Sequence, residues 1–295
     1  MEYKKLYNGV LMPKIGFGVY QISKEDCERC VLDALEVGYR HIDTAQSYFN
    51  EEEVGSAIKK SGIPRKDIFI TTKIWIDNYG YENCKKSIEN SLKKLQTDYI
   101  DLVLLHQPFS DYYGAWKALE EYYEKGVIKA IGVSNFYPDR LVDICQFARI
   151  KPMVNQIETN PFNAQKEAHK WLKKYNVAHE AWAPLGEKRN GLFENDTLIK
   201  IAKNHNKSVA QVILRWELQN DVIVIPKSTH KERMIENFNI LDFELTKEEM
   251  QEIDSLDTSN SLFFSHYDPK MVEWFAEIVQ QRRIYSDHTK EKKNW

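Results

Sequence analysis

Short apolar runs alternate with amphipathic stretches along most of the chain, in the order expected of alternating strands and helices. The clearest strand is the nearly continuous apolar run Tyr99 to Leu105, which is typical of a parallel strand buried on both faces. The clearest helix opens at Ser23 with a capping-box pattern and ends at Gly38. Asn50 is predicted to cap the next helix. The pattern therefore predicts a series of strand-then-helix units.

Eight such units are present when the short segment Ile15 to Gly18 is taken as the first strand. The predicted strands are 15–18, 41–43, 68–72, 99–105, 127–133, 153–157, 177–182 and 222–225. Because each strand is followed by a helix, and eight units suit a closed structure, we predict an α/β fold with a single (β/α)8 TIM barrel. A doubly wound parallel sheet is the alternative.

Two segments lie outside the eightfold pattern. Residues 1–14 contain the turn signal Asn8-Gly9 and are predicted to form a hairpin that caps the bottom of the barrel. Residues 246–295 begin with a capping box and are predicted to hold a loop and helices, one of them near Pro269 to Val279. No flexible linker precedes this segment, so residues 1–295 are predicted to form one domain.

Composition narrows the class of ligand. The formal net charge of -3 gives no general attraction to nucleic acid or to an anionic membrane, and no apolar run is long enough to span a bilayer. We therefore expect a small-molecule ligand, with no nucleic acid and no membrane partner. The N-terminus Met1 to Lys5 has no apolar signal region, and four cysteines in 295 residues do not form a disulfide framework. A cytoplasmic protein is expected.

Cys27 and Cys30 form a CxxC pattern that invites a metal or redox interpretation. They also fall on the apolar stripe of the first helix, and no second CxxC accompanies them. Core packing is the favoured interpretation, and no metal site is predicted.

Polar side chains gather where the second, third and fourth predicted strands end. These strands end at Asp43, Lys73 and His106, and Tyr48 follows Asp43 after a short loop. In a (β/α)8 barrel the C-terminal strand ends carry the active site, and neighbouring strands lie about 4.8 Å apart. Each residue alone is more often structural. Four at one arc of the rim favour catalysis.

These four groups suit addition to a carbonyl. The Lys73 ammonium is expected to lower the pKa of the Tyr48 phenol, and Asp43 to keep Lys73 charged. His106 can donate a hydrogen bond to an oxygen on which negative charge develops. His41 and His179 lie within strands without evident partners, and structural roles are predicted for them.

The loop after the eighth strand predicts an anion site. It brings Lys227 and Ser228 close to Arg233, in the first turn of the next helix, and this corresponds to the phosphate position of many barrels. A solvated basic loop is the alternative. Gly16-Phe17-Gly18 is not a dinucleotide fingerprint, because the third glycine and the acidic partner are missing, so any nucleotide binds without a Rossmann fold.

Five motifs in order resemble the signature motifs of the aldo-keto reductase superfamily over almost the whole chain. They are Gly38–Tyr48, Thr72–Trp75, Leu104–Pro108, Gly132–Phe136 and Ile225–Ser228. The chain most resembles bacterial-type members such as 2,5-diketo-gluconate and methylglyoxal reductases, with prostaglandin F synthase-like relatives. The resemblance implies reduction of aldehydes and ketones by hydride transfer from NADPH, with a small-molecule carbonyl as substrate.

Roles for individual residues follow from the resemblance. Tyr48 is implied as the general acid, Asp43 and Lys73 as the pair that tunes it, and His106 as the group that orients the carbonyl. The implied cofactor-binding residues are Ser134, Asn135 and Gln156 at the carboxamide, Trp182 at the nicotinamide ring, Leu185 and Gly186 at the pyrophosphate, Lys227, Ser228 and Arg233 at the 2'-phosphate, and Glu236 and Asn237 at the adenine. The implied substrate residues are Tyr20, Trp75, His106 and Phe109.

The chain departs from the family pattern at two positions. Gln107 stands where many animal members have Trp, and Ala183 replaces a Ser that could bond the pyrophosphate. Two other functions stay open: an NADP-binding regulatory subunit with slow turnover, and a phosphosugar isomerase or lyase that uses Lys73 as a Schiff-base amine. A monomer or a weak dimer is expected.

Overall fold

Eight parallel strands form one curled sheet that closes on itself, as a computed structural model of the chain shows. It describes residues 1–291, with side chains up to residue 282. The barrel strands are β3 (Phe17–Gly18), β4 (His41–Asp43), β5 (Phe69–Ile74), β6 (Ile100–Leu105), β7 (Ile128–Ser134), β8 (Val154–Glu158), β9 (Ala178–Trp182) and β10 (Val222–Val224). Each strand pairs with the next in sequence order.

The first and last strands meet beside Ile15. A parallel bridge joins Ile15 to Val224, and the Gly16 amide donates to the Val224 carbonyl at 2.8 Å. The Val224 amide donates in turn to the Lys14 carbonyl at 2.9 Å. Because the sheet closes, the (β/α)8 barrel is confirmed and the doubly wound alternative is excluded.

Helices lie between the barrel strands and after the last of them. They are α1 (Lys24–Val37), α2 (Glu51–Lys60), α3 (Tyr81–Leu95), α4 (Tyr112–Glu124), α5 (Pro138–Phe147), α6 (Lys166–Tyr175), α7 (Asp196–His205), α8 (Val209–Gln219), α9 (Lys231–Phe238), α10 (Lys247–Asp254) and α11 (Pro269–Glu291). The predicted limits of α1 are confirmed: Ser23 caps its N-terminus, and Gly38, with φ 122°, ends it. Cys27 and Cys30 are buried on its inner face, consistent with core packing.

The predicted N-terminal hairpin is also confirmed. Strands β1 (Tyr3–Lys5) and β2 (Leu11–Pro13) pair antiparallel, with Asn8 and Gly9 in the turn between them. Gly9 adopts a φ of 92°, a left-handed conformation that suits glycine.

Two local predictions were wrong. Asn50 occupies the N-cap position of α2, but its side chain does not cap the helix. The side chain instead makes hydrogen bonds to the loops that precede α1 and follow β4, which lie against it. The helix predicted to end near Val279 continues to Glu291. Its polar sequence after Val279 is compatible with a helix, since charged residues such as Arg and Glu form helices well.

The described chain divides into two compact units, residues 1–262 and a second unit that begins at Phe263. The second contains α11 and an aromatic cluster in which Phe264 and Trp274 both pack against Phe275. The last four residues of the predicted C-terminal segment, 292–295, lie outside the described part. The single-domain prediction stays a prediction. Within residues 1–291, no helix is both long and apolar enough to cross a membrane.

Gly132 shows how closely the strands approach one another. A Cβ atom at this position of β7 would lie 2.6 Å from Leu104 Cδ2 and 2.6 Å from the Val154 carbonyl oxygen. The Val154 carbonyl is backbone and cannot rotate away. We expect Gly132→Ala to lower the free energy of unfolding by about 1–3 kcal/mol, the usual cost of overpacking a core, as measured by urea denaturation.

Lys129→Ala is the matched control, because Lys129 lies on the same strand and is exposed. It should change the free energy of unfolding by less than about 0.5 kcal/mol. Equal stability of the Gly132 variant and the wild type would contradict the close approach.

Candidate active site

A buried ion pair occupies the rim of the barrel. Lys73 is fully buried at 0 % exposure, and its Nζ donates to Asp43 Oδ1 at 2.5 Å and to the Thr44 carbonyl at 3.0 Å. The third contact of Nζ is with the Tyr48 hydroxyl, at 3.2 Å. Strands β4 and β5 are hydrogen-bonded neighbours, which is why the two charges meet. The structure thus brings together three of the predicted catalytic side chains.

His106 completes the group. It follows β6 directly, and its ring centroid lies 5.8 Å from that of Tyr48 in an edge-on arrangement. Ser47 Oγ lies 3.4 Å from His106 Nδ1. All four predicted catalytic residues therefore share one arc of the rim, with the Tyr48 phenol between Lys73 and His106.

The turn Gln46–Tyr48 is held in place by the side chain of Gln46, which the sequence analysis missed. Gln46 Oε1 accepts from the Trp75 amide at 3.0 Å and from Asn78 Nδ2 at 2.9 Å. Its Nε2 donates to Ser91 Oγ at 3.1 Å. A polar residue between Asp43 and Tyr48 was the only sequence signal. These bonds fix the loop that positions the phenol.

Asn50 fixes the other end of the same loop. Its Oδ1 accepts from Thr44 Oγ1 at 2.9 Å, and its Nδ2 donates to the Val19 carbonyl at 3.0 Å. Because Asn50 is fully buried, these bonds are shielded from water. The loop is therefore tied to the first and third barrel strands on both sides of Tyr48.

Burial dominates the ionisation of the phenol. It raises the pKa of Tyr48 to about 12, although the Lys73 ammonium lowers that pKa as predicted. Burial works to lower the pKa of Lys73, but Asp43 and Tyr48 outweigh it, so the pKa of Lys73 is raised. Burial also raises the pKa of Asp43, and Lys73 opposes that rise. Tyr48 therefore keeps its proton and Lys73 its charge at neutral pH.

Aromatic side chains stand around the predicted catalytic group. The ring centroid of Tyr20 lies 5.0 Å from that of Tyr48, and the centroid of Trp75 lies 5.1 Å from that of His106. Phe109 lies half-buried in the loop that follows β6. Tyr20 and Trp75 are thus beside the four polar groups, as expected of substrate residues.

A second carboxylate lies inside the barrel, and the sequence analysis missed it. Glu180 on β9 is fully buried, and its Oε2 accepts from Gln156 Nε2 at 2.9 Å. The same Nε2 donates to Asp43 Oδ2 at 2.9 Å. A carboxylate within the mostly apolar strand 177–182 was the signal that could have found it. Both amide hydrogens of Gln156 are used, which leaves its Oε1 as an acceptor for a ligand.

The two strand histidines do have partners, contrary to the expectation. His41 Nε2 lies 3.0 Å from Thr71 Oγ1, and His179 Nε2 lies 2.8 Å from Thr159 Oγ1. The second ring nitrogen of His179 lies 3.0 Å from His169 Nδ1. Burial lowers the pKa of His41 and of His179 to about 3, so both rings are neutral at physiological pH.

The predicted carboxamide residues form a connected set next to this group. Ser134 Oγ donates to the Gln156 carbonyl at 2.8 Å, and Asn135 Nδ2 donates to the His106 carbonyl at 3.0 Å. Trp182 Nε1 donates to Asn135 Oδ1 at 2.8 Å. The structure therefore places these residues on or directly after three successive strands, β7 to β9, and connects them by hydrogen bonds to the backbone of His106.

The predicted pyrophosphate residues follow β9. Leu185 is half-buried, and Gly186 has a φ of 55°, a left-handed conformation that suits glycine. A Cβ atom at Gly186 would lie 2.8 Å from Leu262 Cδ1, so a side chain there would crowd its neighbours. Ala183, one of the two departures from the family pattern noted in the sequence, has a φ of 47°.

The loop after β10 leaves cationic groups available. Lys227 and Arg233 are exposed, and neither forms an ion pair with any residue whose side chain is described. Lys231, by contrast, lies 2.8 Å from Glu36 Oε1. Ser228 is buried, and its Oγ accepts from the His230 amide at 3.0 Å. Unpaired cations beside the N-terminus of α9 fit a phosphate group.

The predicted adenine residues lie on α9. Glu236 accepts a hydrogen bond from Ser208 Oγ, and Asn237 is buried. The Glu236 carboxylate is therefore already engaged with the start of α8, and the assignment of both residues to an adenine stays a prediction.

Comparison with known proteins places this geometry in a family. The profile of the Aldo/keto reductase family matches residues 14–258. A glyoxal reductase of Bacillus subtilis (strain 168) is 49% identical over 254 residues, which are 85% of this chain and 91% of the relative. A methylglyoxal reductase of Yersinia pestis is 44% identical over 88% of this chain and 94% of its own length.

Solved structures agree. An aldo-keto reductase of Bombyx mori, solved in complex with NADP, superimposes with a TM-score of 0.85 at 32% identity, over 89% of this chain and 94% of that one. The family match spans more than half of the chain, and the relatives share the carbonyl-reducing chemistry that their names state. The closed barrel, the polar group at its rim and these matches together show that the chain belongs to the aldo/keto reductase family and is an oxidoreductase.

Proposed function

We propose that this protein reduces aldehydes and ketones to alcohols with NADPH, with Tyr48 as the general acid. The observation that supports the proposal most is the contact of the Tyr48 hydroxyl with a fully buried, charged Lys73, at 3.2 Å. A phenol that keeps its proton at neutral pH, next to a fixed ammonium, suits proton donation to an oxygen that gains negative charge.

Each catalytic side chain has a separate task. Tyr48 gives its proton to the substrate oxygen, and Lys73 stabilises the phenolate that remains. Asp43 holds Lys73 in its charged form and in its orientation. His106, beside Tyr48, donates a hydrogen bond that orients the carbonyl. The Schiff-base alternative is disfavoured, because the raised pKa of Lys73 keeps the amine protonated and therefore not nucleophilic.

The residues at the rim fit a nicotinamide cofactor. NADPH, when bound, supplies the hydride that reduces the carbonyl carbon. Gln156, with both N–H groups engaged, offers Oε1 as an acceptor to the carboxamide, and Ser134 and Asn135 lie beside it. Trp182 would cover the nicotinamide ring.

Discrimination between NADPH and NADH is assigned to the loop after β10. Lys227, Ser228 and Arg233 would hold the 2'-phosphate, since the two cations have no carboxylate partner among the described side chains. Leu185 and Gly186 would lie along the pyrophosphate, and Glu236 and Asn237 at the adenine.

Small dicarbonyl compounds are the proposed substrate class. The names of two relatives specify glyoxal and methylglyoxal, and this chain is 49% and 44% identical to them. Tyr20, Trp75 and Phe109 would line the entrance with aromatic rings. Such a surface also accepts aromatic aldehydes.

A cytosolic monomer or weak dimer is proposed as the working form. The four cysteines are free thiols in the structure, and three of them are buried. Free thiols suit a reducing compartment.

Removal of the Tyr48 hydroxyl tests its role as the general acid. With glyoxal, methylglyoxal or 4-nitrobenzaldehyde as substrate, the wild type should oxidise NADPH, which is measured as a loss of absorbance at the nicotinamide band. Tyr48→Phe should lower kcat by about 100-fold or more, because the proton donor is lost, while NADPH still quenches tryptophan fluorescence with an unchanged Kd.

Tyr81→Phe is the matched control, since Tyr81 is an exposed tyrosine at the start of α3. It should leave kcat unchanged. Turnover with none of the carbonyls would overturn the enzyme proposal, and full activity of Tyr48→Phe would overturn the role of the phenol.

Removal of the Lys227 ammonium tests the site proposed for the 2'-phosphate. Lys227→Ala should raise the KM for NADPH about tenfold or more, because a charge-assisted hydrogen bond is lost, and should alter the KM for NADH far less. Steady-state kinetics with both cofactors measure the ratio.

Lys231→Ala provides the comparison on the same loop and helix. Lys231 is already paired with Glu36, so its removal should leave the ratio of the two KM values unchanged within about twofold. Equal effects of Lys227→Ala on both cofactors would show that Lys227 does not contact the 2'-phosphate.

A further inference from the structure

Two buried carboxylates, Asp43 and Glu180, lie on either side of Gln156 inside the barrel, and the ammonium of Lys73 lies beside one of them. Asp43 and Glu180 are 2 % and 0 % exposed, and the single amide nitrogen of Gln156 bridges them at 2.9 Å on each side. Lys73, the cation, contacts Asp43 directly. A dry site with one more acid than base is costly unless one acid keeps its proton.

Among the described side chains that face Glu180 from the neighbouring strands, Lys73 is not accompanied by a second cation. On β4, His41 Nε2 lies 3.7 Å from Glu180 Oε1, but its ring is neutral because burial lowers the pKa of His41 to about 3. On β8, Gln156 is uncharged. On β10, the neighbouring residues Val222–Val224 are all apolar. Asp43 and Lys73 are the charged groups that act on Glu180.

One oxygen of Glu180 is suited to hold a proton. Oε2 accepts from Gln156, whereas Oε1 is buried and has no hydrogen-bond partner among the described atoms. An ionised carboxylate would leave charge on this unsatisfied oxygen. Burial, with a further contribution from the Asp43 charge, raises the pKa of Glu180 to about 8.

We propose that Glu180 is a positioning residue that carries a proton inside the barrel, and that loss of this proton to solvent makes it harder for Tyr48 to give up its own. The inference rests on the proposed function of Tyr48. Among the described side chains, Glu180 makes no hydrogen bond or ion pair with Tyr48 or Lys73. It acts through Gln156 and through the charge of the Asp43 and Lys73 pair.

Ionisation of Glu180 should slow proton transfer from Tyr48. As Tyr48 donates its proton, negative charge grows on the phenolate, and Lys73 stabilises it. A second negative charge at Glu180 competes for the same ammonium and repels the phenolate in a medium of low dielectric constant. Protonated Glu180 thus favours reduction, and ionised Glu180 slows it.

The experiment is a pH profile of kcat for reduction of 4-nitrobenzaldehyde by NADPH. In the wild type, kcat should fall about tenfold as pH rises from 7 to 9, the expected size for one charge acting across the site. The pKa of Tyr48 itself is too high to cause a fall in this range. Glu180→Gln keeps an acceptor for Gln156 but cannot ionise, so its profile should stay flat there.

Glu217→Gln is the matched control. Glu217 on α8 is also fully buried, and burial alone raises its pKa well above the usual value. No charge of the catalytic group contributes to that shift. This variant should keep the fall in kcat between pH 7 and 9. A purely structural effect of removing a buried acid would appear in both variants alike.

A second measurement tests the proton without turnover. Glu180 has a pKa of about 8 in the folded protein and 4.5 when exposed, so its contribution to stability is complete below pH 4.5 and is lost as pH rises toward 8. The urea midpoint of Glu180→Gln minus that of the wild type should therefore increase with pH from about 4.5 to about 8, and then level off.

The outcomes separate the two proposals. Turnover with a fall in kcat that persists in Glu180→Gln would overturn the inference and leave the proposed function standing. A midpoint difference that does not vary with pH would show that Glu180 carries no proton. Absence of turnover in the wild type would overturn both. If Glu180→Gln does not fold, Glu180→Met, which also removes the acid, takes its place in both measurements.

Discussion

The burial of Lys73 is the constraint on which the site depends. A fully buried ammonium is costly unless a carboxylate and further acceptors surround it. Asp43 on the adjacent strand and the Thr44 carbonyl meet that requirement, and the third contact goes to Tyr48. The buried Lys73 ammonium needs hydrogen-bond acceptors whether or not the protein acts on a substrate. The position of the Tyr48 phenol is therefore set by a contact that the buried charge requires.

The loop between Asp43 and Tyr48 holds the phenol in a fixed position relative to Lys73. Gln46 bonds it to the start of the next βα loop, and Asn50 bonds it to the chain that follows β3. Both ends of the loop are thus attached to neighbouring strands before any ligand arrives. In the proposed mechanism, an acid that is already in position needs little free energy for reorganisation during the reaction, and a rigid rim contributes to the rate in this way.

Much of this could be predicted from the sequence, and the remainder could not, for physical reasons. Strand ends are visible because apolar runs stop there, and this located Lys73 and His106. Glu180 was missed because a strand buried on both faces gives no sign of which side chains point into the barrel. Asn50 was misassigned because its local position is that of a helix cap, whereas its hydrogen-bond partners are distant in sequence.

The direction of the pKa shift of Tyr48 could not be predicted from the sequence either. Proximity to Lys73 suggested a lowered pKa, yet burial outweighs the ammonium and raises it. The two effects are not in conflict for catalysis. The same low-dielectric surroundings that hold the proton on the phenol at rest strengthen the attraction between Lys73 and the phenolate once charge has moved. In the proposed mechanism, burial therefore keeps the proton on Tyr48 at rest, and the buried cation lowers the free energy that its transfer to the substrate requires.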